Sequence, residues 1–445
     1  GRKLSFPLFN FKNNNNNKTT IQYILLPLVL LFLASCQQEE ATFKTDSKDY
    51  NQFLASEPVK PTSKYFKLWN NKIKADSMQL LSLGNVAGEY SRFFKGTGDI
   101  KYLKDAEQSL KKAVEIAAVG KSGYLRALAR NYISQHRFKE ALVLAKKARK
   151  LGSGINETQS LFFDLHMELG NYDRANQYLD SIHNMSDFGY LIRVAKWNDH
   201  KGDLDTAIEF MEKAMAKAES SKNRGLLLWS YTNLADFYGH AGRIEDSYNL
   251  YLKALQIDPQ NAYAKKGIAW IVYSHERNGT EALRILDSIM KKNKSPEYYL
   301  LKAEVAAYLK DDMLRVQALD DYYKTVENNK DYGDMYNAYN VDFLLSMDVQ
   351  QRAFELAQAE VSNRPTPESY GWFAYSLLHL GEKQKALEVI ERHVIGATYE
   401  PAILHQAAEI YKANGEKEKV SELKQELMGA VYELGPVKEA QIASL

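Results

Sequence analysis

The sequence contains one cysteine among its 445 residues, so an intrachain disulfide and a zinc site built from several cysteines are both excluded. It also lacks the common signatures of catalysis. There is no glycine-rich phosphate loop followed by Lys and Ser or Thr, no nucleophile elbow, and no pair of histidines at metalloprotease spacing. The nearest glycine cluster, Gly96 to Gly98, is typical of a turn between helices. We therefore expect no enzyme activity, no metal and no cofactor.

A strong charge of one sign is missing as well. The formal net charge is +2, and the first 35 residues hold four basic residues and no acidic ones. The rest of the chain has 54 basic and 56 acidic residues, which is a slight acidic excess. Because nucleic-acid binding depends on a basic surface that neutralises phosphates, the composition predicts no nucleic-acid partner.

Long hydrophobic runs are scarce, and the one that stands out is short. Residues 24–35 (ILLPLVLLFLAS) follow a basic and Asn-rich stretch and directly precede Cys36. Twelve residues are too few to span a bilayer stably but suit the core of a signal peptide. The sequence Leu33-Ala34-Ser35-Cys36 resembles a bacterial lipobox. That resemblance implies a signal peptide over residues 1–35 and lipidation of Cys36, which would attach the protein to a membrane. The alternative is an uncleaved hydrophobic anchor, which would tether the same body.

The residues after Cys36 bear on location. Gln37 to Glu40 (QQEE) resemble the short acidic export signal of surface lipoproteins in the Bacteroidetes, although a plain solvated tether has a similar composition. We expect an outer-membrane lipoprotein at the cell surface, or otherwise at the periplasmic face. Residues 36–61 are predicted to be a flexible tether in which only Tyr50, Phe53 and Leu54 favour a turn or two of helix. Residues 62–76 are predicted to form a capping helix.

A 32-residue stretch from Leu228 to Pro259 is the clearest unit of a repeat. Bulky residues occupy its positions 4, 7, 11 and 24, small residues occupy positions 8, 20 and 27, and a proline occupies position 32. This pattern resembles the tetratricopeptide repeat (TPR), in which two antiparallel helices approach closely at the small positions. In order of position, the residues that carry the resemblance are Tyr231, Leu234, Ala235, Tyr238, Ser247, Tyr251, Ala254 and Pro259.

The pattern recurs along most of the chain. About ten copies cover residues 77–434, and they are degenerate over residues 262–365, where we expect an irregular bend. The resemblance implies an all-α fold, an α-α superhelix (TPR solenoid) in which each hairpin packs on its neighbours. Gly435 and Pro436 are expected to end the last helix, leaving residues 435–445 as a C-terminal tail.

In TPR proteins the inner side of each first helix lines a concave groove, and this chain places distinctive side chains there. His200 and His240 both fall at position 13 of their repeats. The simpler interpretation of the histidines is a position that tolerates any polar residue, and aromatic residues on this side can also pack against the next repeat. The predicted partner-binding face comprises Lys196, His200, Trp229, Asp236, His240, Tyr263 and Trp270.

Three functions follow from these patterns. The favoured one is a membrane-anchored scaffold that binds a protein or peptide partner in its groove. The alternative is a surface lipoprotein that captures a nutrient glycan through exposed aromatic residues, similar to the starch-utilisation type. An enzymatic function would need an acid-base or metal constellation, which the sequence does not indicate.

Overall fold

The structure is a computed structural model that describes residues 42–55, 62–74 and 79–445. The predicted signal peptide and Cys36 lie outside these residues. The described residues form helices, turns and loops and contain no strand, which confirms the all-α prediction. Within the described part of the chain, no helix has the length and apolar character needed to cross a membrane.

In the part of the chain that the structure describes, ten helical hairpins make up the body, preceded by two short helices and followed by one more. The short helices are Ser47–Leu54 (α1) and Lys64–Asn70 (α2). The hairpins are Leu80–Thr97 with Ile100–Ile116 (α3, α4), Lys121–Ser134 with Phe138–Lys150 (α5, α6), Ile155–Glu168 with Tyr172–Ser181 (α7, α8), Phe188–His200 with Leu204–Ser221 (α9, α10), Arg224–His240 with Ile244–Ile257 (α11, α12), Ala262–Trp270 with Gly279–Met290 (α13, α14), Glu297–Tyr308 with Asp312–Glu327 (α15, α16), Asn337–Ser346 with Gln350–Asn363 (α17, α18), Pro367–His379 with Lys383–His393 (α19, α20), and Pro401–Asn414 with Lys417–Gly429 (α21, α22). The final helix is Val431–Ala443 (α23).

The fifth hairpin shows why the repeat folds in this way. Asn223 caps the start of α11 by accepting hydrogen bonds from the backbone of residues 225 and 226. The small residues Ala235, Ser247 and Ala254 are fully buried where the two helices touch, so the backbones approach closely. Gly242 makes the turn with a φ of 75°, a conformation that costs glycine little. The repeat residues therefore act locally, within each hairpin.

Two irregular segments interrupt the hairpins in the part where the repeat pattern weakens. Helix α13 continues into a π-helical turn at Ile271–His275 before α14 begins. A 3₁₀ turn at Lys330–Tyr332, followed by Gly333 with a φ of 50°, separates α16 from α17. These extra residues displace the small positions that set the register in the regular hairpins.

The superhelix closes on itself, because turns in the first hairpins contact connections between later hairpins. The backbone N–H of Lys294 donates to the carbonyl of Thr97 at 2.6 Å, and the Lys294 ammonium lies 2.9 Å from Asp99. Further along, Lys139 donates to the carbonyl of Ser362 at 2.7 Å. Gly170, in the turn of the third hairpin, lies against the carbonyl of Pro365: a Cβ there would come within 2.6 Å of it. The hairpins thus surround a central groove.

The N-terminal segment corrects the expectation of a flexible tether over all of residues 36–61. Helix α1 is packed on the outer helices α12 and α14, and the Tyr50 ring is 2% exposed. The Tyr50 hydroxyl donates to Glu281 at 2.7 Å, and the Tyr248 hydroxyl donates to the Asp46 carbonyl at 3.1 Å. Burial of Tyr50 and Phe53 accounts for this docking, since two turns of helix are not stable alone.

Helix α2 lies within the predicted capping segment. Its Phe66 ring meets the rings of Tyr90 and Phe93 on α3, each at a centroid distance of 5.2 Å. The Ser63 hydroxyl, which caps α2, also donates to Glu89 at 2.5 Å. These contacts cover one exposed face of the first hairpin.

The C-terminal segment corrects a second expectation. Residues 435–445 were predicted to be a tail, but Val431–Ala443 forms α23, with a kink at Gly435 where φ is 80° and ψ is 166°. Pro436 then begins the remaining helical residues instead of ending the structure, as its fixed φ suits a first helical position. Leu434 and Ile442 pack with Leu404 and Leu427 of the last hairpin. Helix α23 also contacts α11, α15 and the π-helical turn, so it lies inside the groove.

Candidate functional site

The inner surface of the groove is built by the first helices of successive hairpins, as the repeat predicts. Helix α23 crosses this surface and leaves a cavity on either side. His240 and Glu433 line both cavities, and the His240 Nδ1 atom lies 3.7 Å from the nearer Glu433 oxygen. The two cavities therefore adjoin at this pair, and together they are called the channel here.

The first cavity, of about 470 Å³, is called the acidic cavity here because carboxylates dominate its wall. Its basic residues, Lys196 and Arg364, both contact Glu168, at 2.9 and 3.2 Å. That pairing leaves the other carboxylates of the cavity without a lysine or arginine partner among the described residues. These other acidic residues are Asp199, Glu368, Glu400, Glu426 and Glu433.

The second cavity, of about 790 Å³, is called the aromatic cavity here. Its volume lies within the range typical of ligand pockets. Aromatic rings form much of its wall, and four more carboxylates line it besides Glu433. The rings are Tyr251, Tyr263, Trp270, Tyr339, Phe343 and Tyr432, and the four carboxylates are Asp236, Glu297, Glu304 and Asp342.

Two predicted residues lie in the acidic cavity. Lys196 forms the ion pair with Glu168 described above. The His200 ring stacks on Tyr172 with a centroid distance of 4.0 Å, and burial lowers the pKa of His200. His200 is therefore neutral at pH 7 and presents a ring surface to the cavity.

Asp236 and Tyr263 meet in the aromatic cavity. Asp236 accepts hydrogen bonds from the hydroxyls of Tyr251 and Tyr263, so it holds two rings of the wall in place. Burial and the Asp236 charge raise the pKa of Tyr263 well above its usual value, which keeps the hydroxyl a donor. The Lys266 ammonium lies 4.6 Å above the Tyr263 ring, so this wall already holds one cation.

His240 and Trp270 contact the protein's own C-terminal helix. The Trp270 indole N–H donates to the carbonyl of Tyr432 at 3.0 Å, and the Ser274 hydroxyl donates to the same carbonyl at 2.6 Å. His240 faces Glu433, as described above. Both side chains thus help to position α23, while parts of both still line the cavities.

Trp229 stands apart from the other six predicted residues. It lines neither cavity, and its ring packs edge-on against Phe188 with a centroid distance of 5.7 Å. The ring is 37% exposed, so it packs against the adjacent repeat while keeping one face in solvent. The structure therefore brings Lys196, His200, Asp236, His240, Tyr263 and Trp270 into one channel and leaves Trp229 outside.

Several channel carboxylates have a raised pKa, and burial is the main cause. Burial raises the pKa of Glu304 to about 7, although the hydrogen bond from Tyr273 opposes this. Burial raises the pKa of Asp342 to about 6, against the charge of Lys438 and a hydrogen bond from Gln406. Burial, with the charges of Glu433, Glu368 and Asp199, raises the pKa of Glu400 to about 7. All three groups line the channel, and at Glu400 the neighbouring like charges add to the effect of burial.

The arrangement offers binding surface and negative charge. No group of three or more His, Cys, Asp and Glu side chains in residues 42–55, 62–74 and 79–445 is placed to hold a metal ion. What the channel provides is aromatic faces beside carboxylates, a combination that attracts positively charged groups.

Sequence reasoning missed the channel residues contributed by the degenerate hairpins and by the chain's C-terminal end. Glu297, Glu304, Tyr339 and Asp342 belong to α15 and α17, where the repeat register is too weak to assign inner positions. Tyr432 and Glu433 were expected at the end of the last helix, just before Gly435 and Pro436. One signal was present: Gly435-Pro436 marks a new helix start as readily as a stop.

Comparison with known proteins supports the repeat assignment. A family model described as a tetratricopeptide repeat matches residues 230–261. No curated protein sequence matches the chain significantly.

Three solved structures with detectable similarity can be compared. The chain is 12% identical to pilF of Pseudomonas aeruginosa, with 47% of this chain and 94% of that chain covered and a TM-score of 0.36. It is 19% identical to a tetratricopeptide repeat protein from Parabacteroides merdae (56% and 94% covered, TM-score 0.33) and 12% identical to yeast Tom70 (79% and 92% covered, TM-score 0.33). The match places one tetratricopeptide repeat at residues 230–261, which fall in the fifth of the ten helical hairpins of the described residues, and it supports the resemblance on which the repeat assignment rests.

Proposed function

We propose that this protein is a lipid-anchored scaffold of the outer membrane that binds a segment of a partner protein in its central channel. The observation that carries the proposal is the channel itself, which the first helices build and which keeps two open cavities beside α23. TPR superhelices act through such surfaces, where aromatic side chains on rigid helices bury a large area at small entropic cost.

The shape of the channel favours an extended segment over a compact small molecule. The two cavities adjoin at His240 and Glu433, and each has the volume of a small-ligand pocket. An extended peptide can place side chains in both while its backbone passes this pair. The channel walls are rigid helices, so most of the conformational entropy lost on binding is lost by the partner segment.

The anchor rests on the sequence. Cys36 follows a run suited to a signal peptide and completes the lipobox-like Leu33-Ala34-Ser35-Cys36. The acidic stretch after it favours the cell surface, with the periplasmic face as the other destination.

Site-specific photo-crosslinking in the native membrane tests the channel. A photoreactive residue replaces Tyr263 in the aromatic cavity or Lys196 in the acidic cavity. The matched control carries it at Met313, which is 83% exposed on α16 and lines neither cavity. We expect the two channel positions to crosslink the same protein and the control not to.

Two outcomes would contradict the proposal. Equal crosslinking from Met313 would indicate a partner on the outer surface. If no channel position captured a protein and the purified chain bound an oligosaccharide, the scaffold function would be wrong and nutrient capture would replace it.

A further inference from the structure

We propose that the channel binds a basic segment of a partner protein, with an arginine or lysine side chain in the aromatic cavity and a second one in the acidic cavity. The inference rests on the proposed scaffold function and specifies the chemistry of its partner. It is drawn from the charge balance of the channel wall, the aromatic faces and the adjacency of the two cavities.

The charge balance is strongly one-sided. Ten carboxylates line the two cavities, against the three basic residues Lys196, Lys266 and Arg364. Two of the ten form an ion pair: Glu168 pairs with Lys196 and Arg364, and Glu433 with His240. The other eight form no ion pair with any described residue. These are Asp199, Asp236, Glu297, Glu304, Asp342, Glu368, Glu400 and Glu426.

The overall composition does not account for this excess. After residue 35 the chain has 54 basic and 56 acidic residues and is nearly neutral, whereas the channel wall is strongly acidic. Ion pairs are common elsewhere on the helices, for example between Lys213 and Glu209 and between Lys112 and Glu115. A partner with positive charges would supply the counter-charge that the channel wall lacks.

The aromatic cavity adds a second element of recognition. Trp270, Tyr263 and Tyr339 present rings close to the unpaired carboxylates Glu304 and Asp342. Tyr339 is 48% exposed and Tyr263 is 41% exposed, so ring surface is open to a ligand. An arginine guanidinium stacks on such faces and donates in its own plane to carboxylates, which suits this cavity better than an anion or a neutral sugar.

The raised pKa values of Glu304 and Asp342 agree with the lack of an ion pair at either carboxylate. Glu304 and Asp342 are held partly protonated near neutral pH by burial, with Tyr273 and Gln406 as their hydrogen-bond donors and Lys438 as the nearby cation. A bound cation would favour the ionised form of both groups. Binding is therefore expected to release protons near pH 7.

Binding of hexa-arginine to the full chain in detergent, measured by calorimetry at physiological salt, tests the inference. The channel variant is Glu304→Gln with Asp342→Asn. The matched control is Glu115→Gln with Asp312→Asn, which removes the same charge from positions 68% and 86% exposed on the outer helices. We expect the channel variant to weaken binding by about tenfold or more and the control to change it less than about twofold.

A third variant tests the aromatic contribution. Tyr339→Leu removes an exposed ring from the rim of the cavity and keeps most of its apolar area. We expect it to weaken hexa-arginine binding by about threefold, in line with an exposed cation–π contact. Melting curves of every variant check that the fold is intact. Asp342 lines the aromatic cavity and is not part of the core, so its replacement by Asn leaves no void among the packed helices.

Three results would overturn the inference. One is equal weakening by the channel and outer-surface variants, which would show unspecific charge attraction. Another is absence of hexa-arginine binding. The third is tighter binding of spermine than of hexa-arginine, which would mark a site for small amines instead of a protein segment. If photo-crosslinking still captures a protein from Tyr263, a negative result here removes only the basic character of the partner and leaves the scaffold function standing.

Discussion

The His240 ring and the Glu433 carboxylate face each other at 3.7 Å, one at the end of α11 and the other at the start of α23. Beside them, Gly239 lies against the Tyr432 ring: a Cβ at residue 239 would come within 2.7 Å of it. The fifth hairpin and the C-terminal helix are therefore fitted to each other at this point, and the fit divides the channel into its two cavities.

That fit predicts the effect of Gly239→Ala. The added methyl must displace Tyr432, so we expect the free energy of unfolding to fall by about 1–3 kcal/mol and amide exchange of residues 431–443 to accelerate. Gly88→Ala is the control, since Gly88 is helical and exposed, and an added methyl there would meet no atom within 4 Å. It should gain about 0.5–1 kcal/mol. Unchanged exchange at 431–443 in Gly239→Ala would argue against the contact.

Two turn glycines distinguish the stability that comes from closure of the superhelix from the cost of a left-handed backbone. Gly170 and Gly381 both have positive φ, 70° and 81°, but a Cβ at Gly170 comes within 2.6 Å of the Pro365 carbonyl whereas one at Gly381 meets nothing. We expect Gly381→Ala to cost about 1–2 kcal/mol from its left-handed conformation alone. Gly170→Ala should cost about 1–3 kcal/mol more. Only Gly170→Ala should increase the radius of gyration in small-angle scattering; equal values for both would place the closure elsewhere.

A buried carboxylate in the first hairpin should be important for stability. Glu107 is 1% exposed; burial would raise its pKa, but hydrogen bonds from Lys104, Lys111, Gln135 and Arg137 outweigh this and hold the pKa well below its usual value. Glu107→Gln is therefore expected to cost about 2–4 kcal/mol at pH 7.

The pH dependence of that loss follows from linkage. A lowered native pKa gives stability that is present above the unfolded pKa, near 4.5, and that disappears as the pH falls through the native value. The difference between wild type and Glu107→Gln should shrink steadily below about pH 4.5. Glu140→Gln is the control: it meets the same Arg137 but its side chain is 58% exposed, so a change below about 0.5 kcal/mol is expected. Equal losses in chemical denaturation would contradict the role of burial.

Glu400 should change the stability with pH in the direction opposite to Glu107. Its pKa is raised to about 7, mainly by burial and then by Glu433, Glu368 and Asp199. A raised carboxylate pKa gives stability below the unfolded value that is lost as the pH rises from about 4.5 to about 7. Glu400→Gln should therefore be more stable than wild type at pH 8, by about 0.5 kcal/mol after allowance for solvent screening, and equal to it at pH 4. Greater stability of the variant at pH 4 than at pH 8 would show that the sign is wrong.

Lipidation of Cys36 is tested by labelling cells with a palmitate analogue. We expect the label on the wild-type protein and its loss in Cys36→Ser, because serine lacks the thiol that carries the lipid. Gln38→Ala, two residues further on, should keep the label. A Cys36→Ser protein that stays in the membrane without label would favour the uncleaved anchor.

The hairpins could be predicted from the sequence because their determinants are local. Ala235, Ser247 and Ala254 set the approach of two adjacent helices, and each hairpin repeats the same short-range pattern. Where extra residues intervene, as in the π-helical turn at Ile271–His275, the register is lost, and with it the inner positions of α15 and α17.

The channel could be predicted only in part because its shape depends on distant contacts. Nothing near Trp270 in the sequence indicates that its indole N–H bonds to Tyr432, 162 residues later. An aromatic residue at an inner TPR position indicates a contact, but not whether the contacting group belongs to a partner or to the same chain. Likewise, the enlarged turn at Gly98 looks like a simple insertion until Asn293 and Ser295 are seen to lie against it.

The docked helix α1 decides where a membrane tether would join the folded body. The backbone N–H of Thr45 donates to Glu276 at 2.5 Å, and α1 packs on α12 and α14, so the chain enters the body on its outer helices. The first helices, which line the channel, lie on the other side of the same layer. A tether that enters on the outer helices leaves the channel free for the partners that approach it.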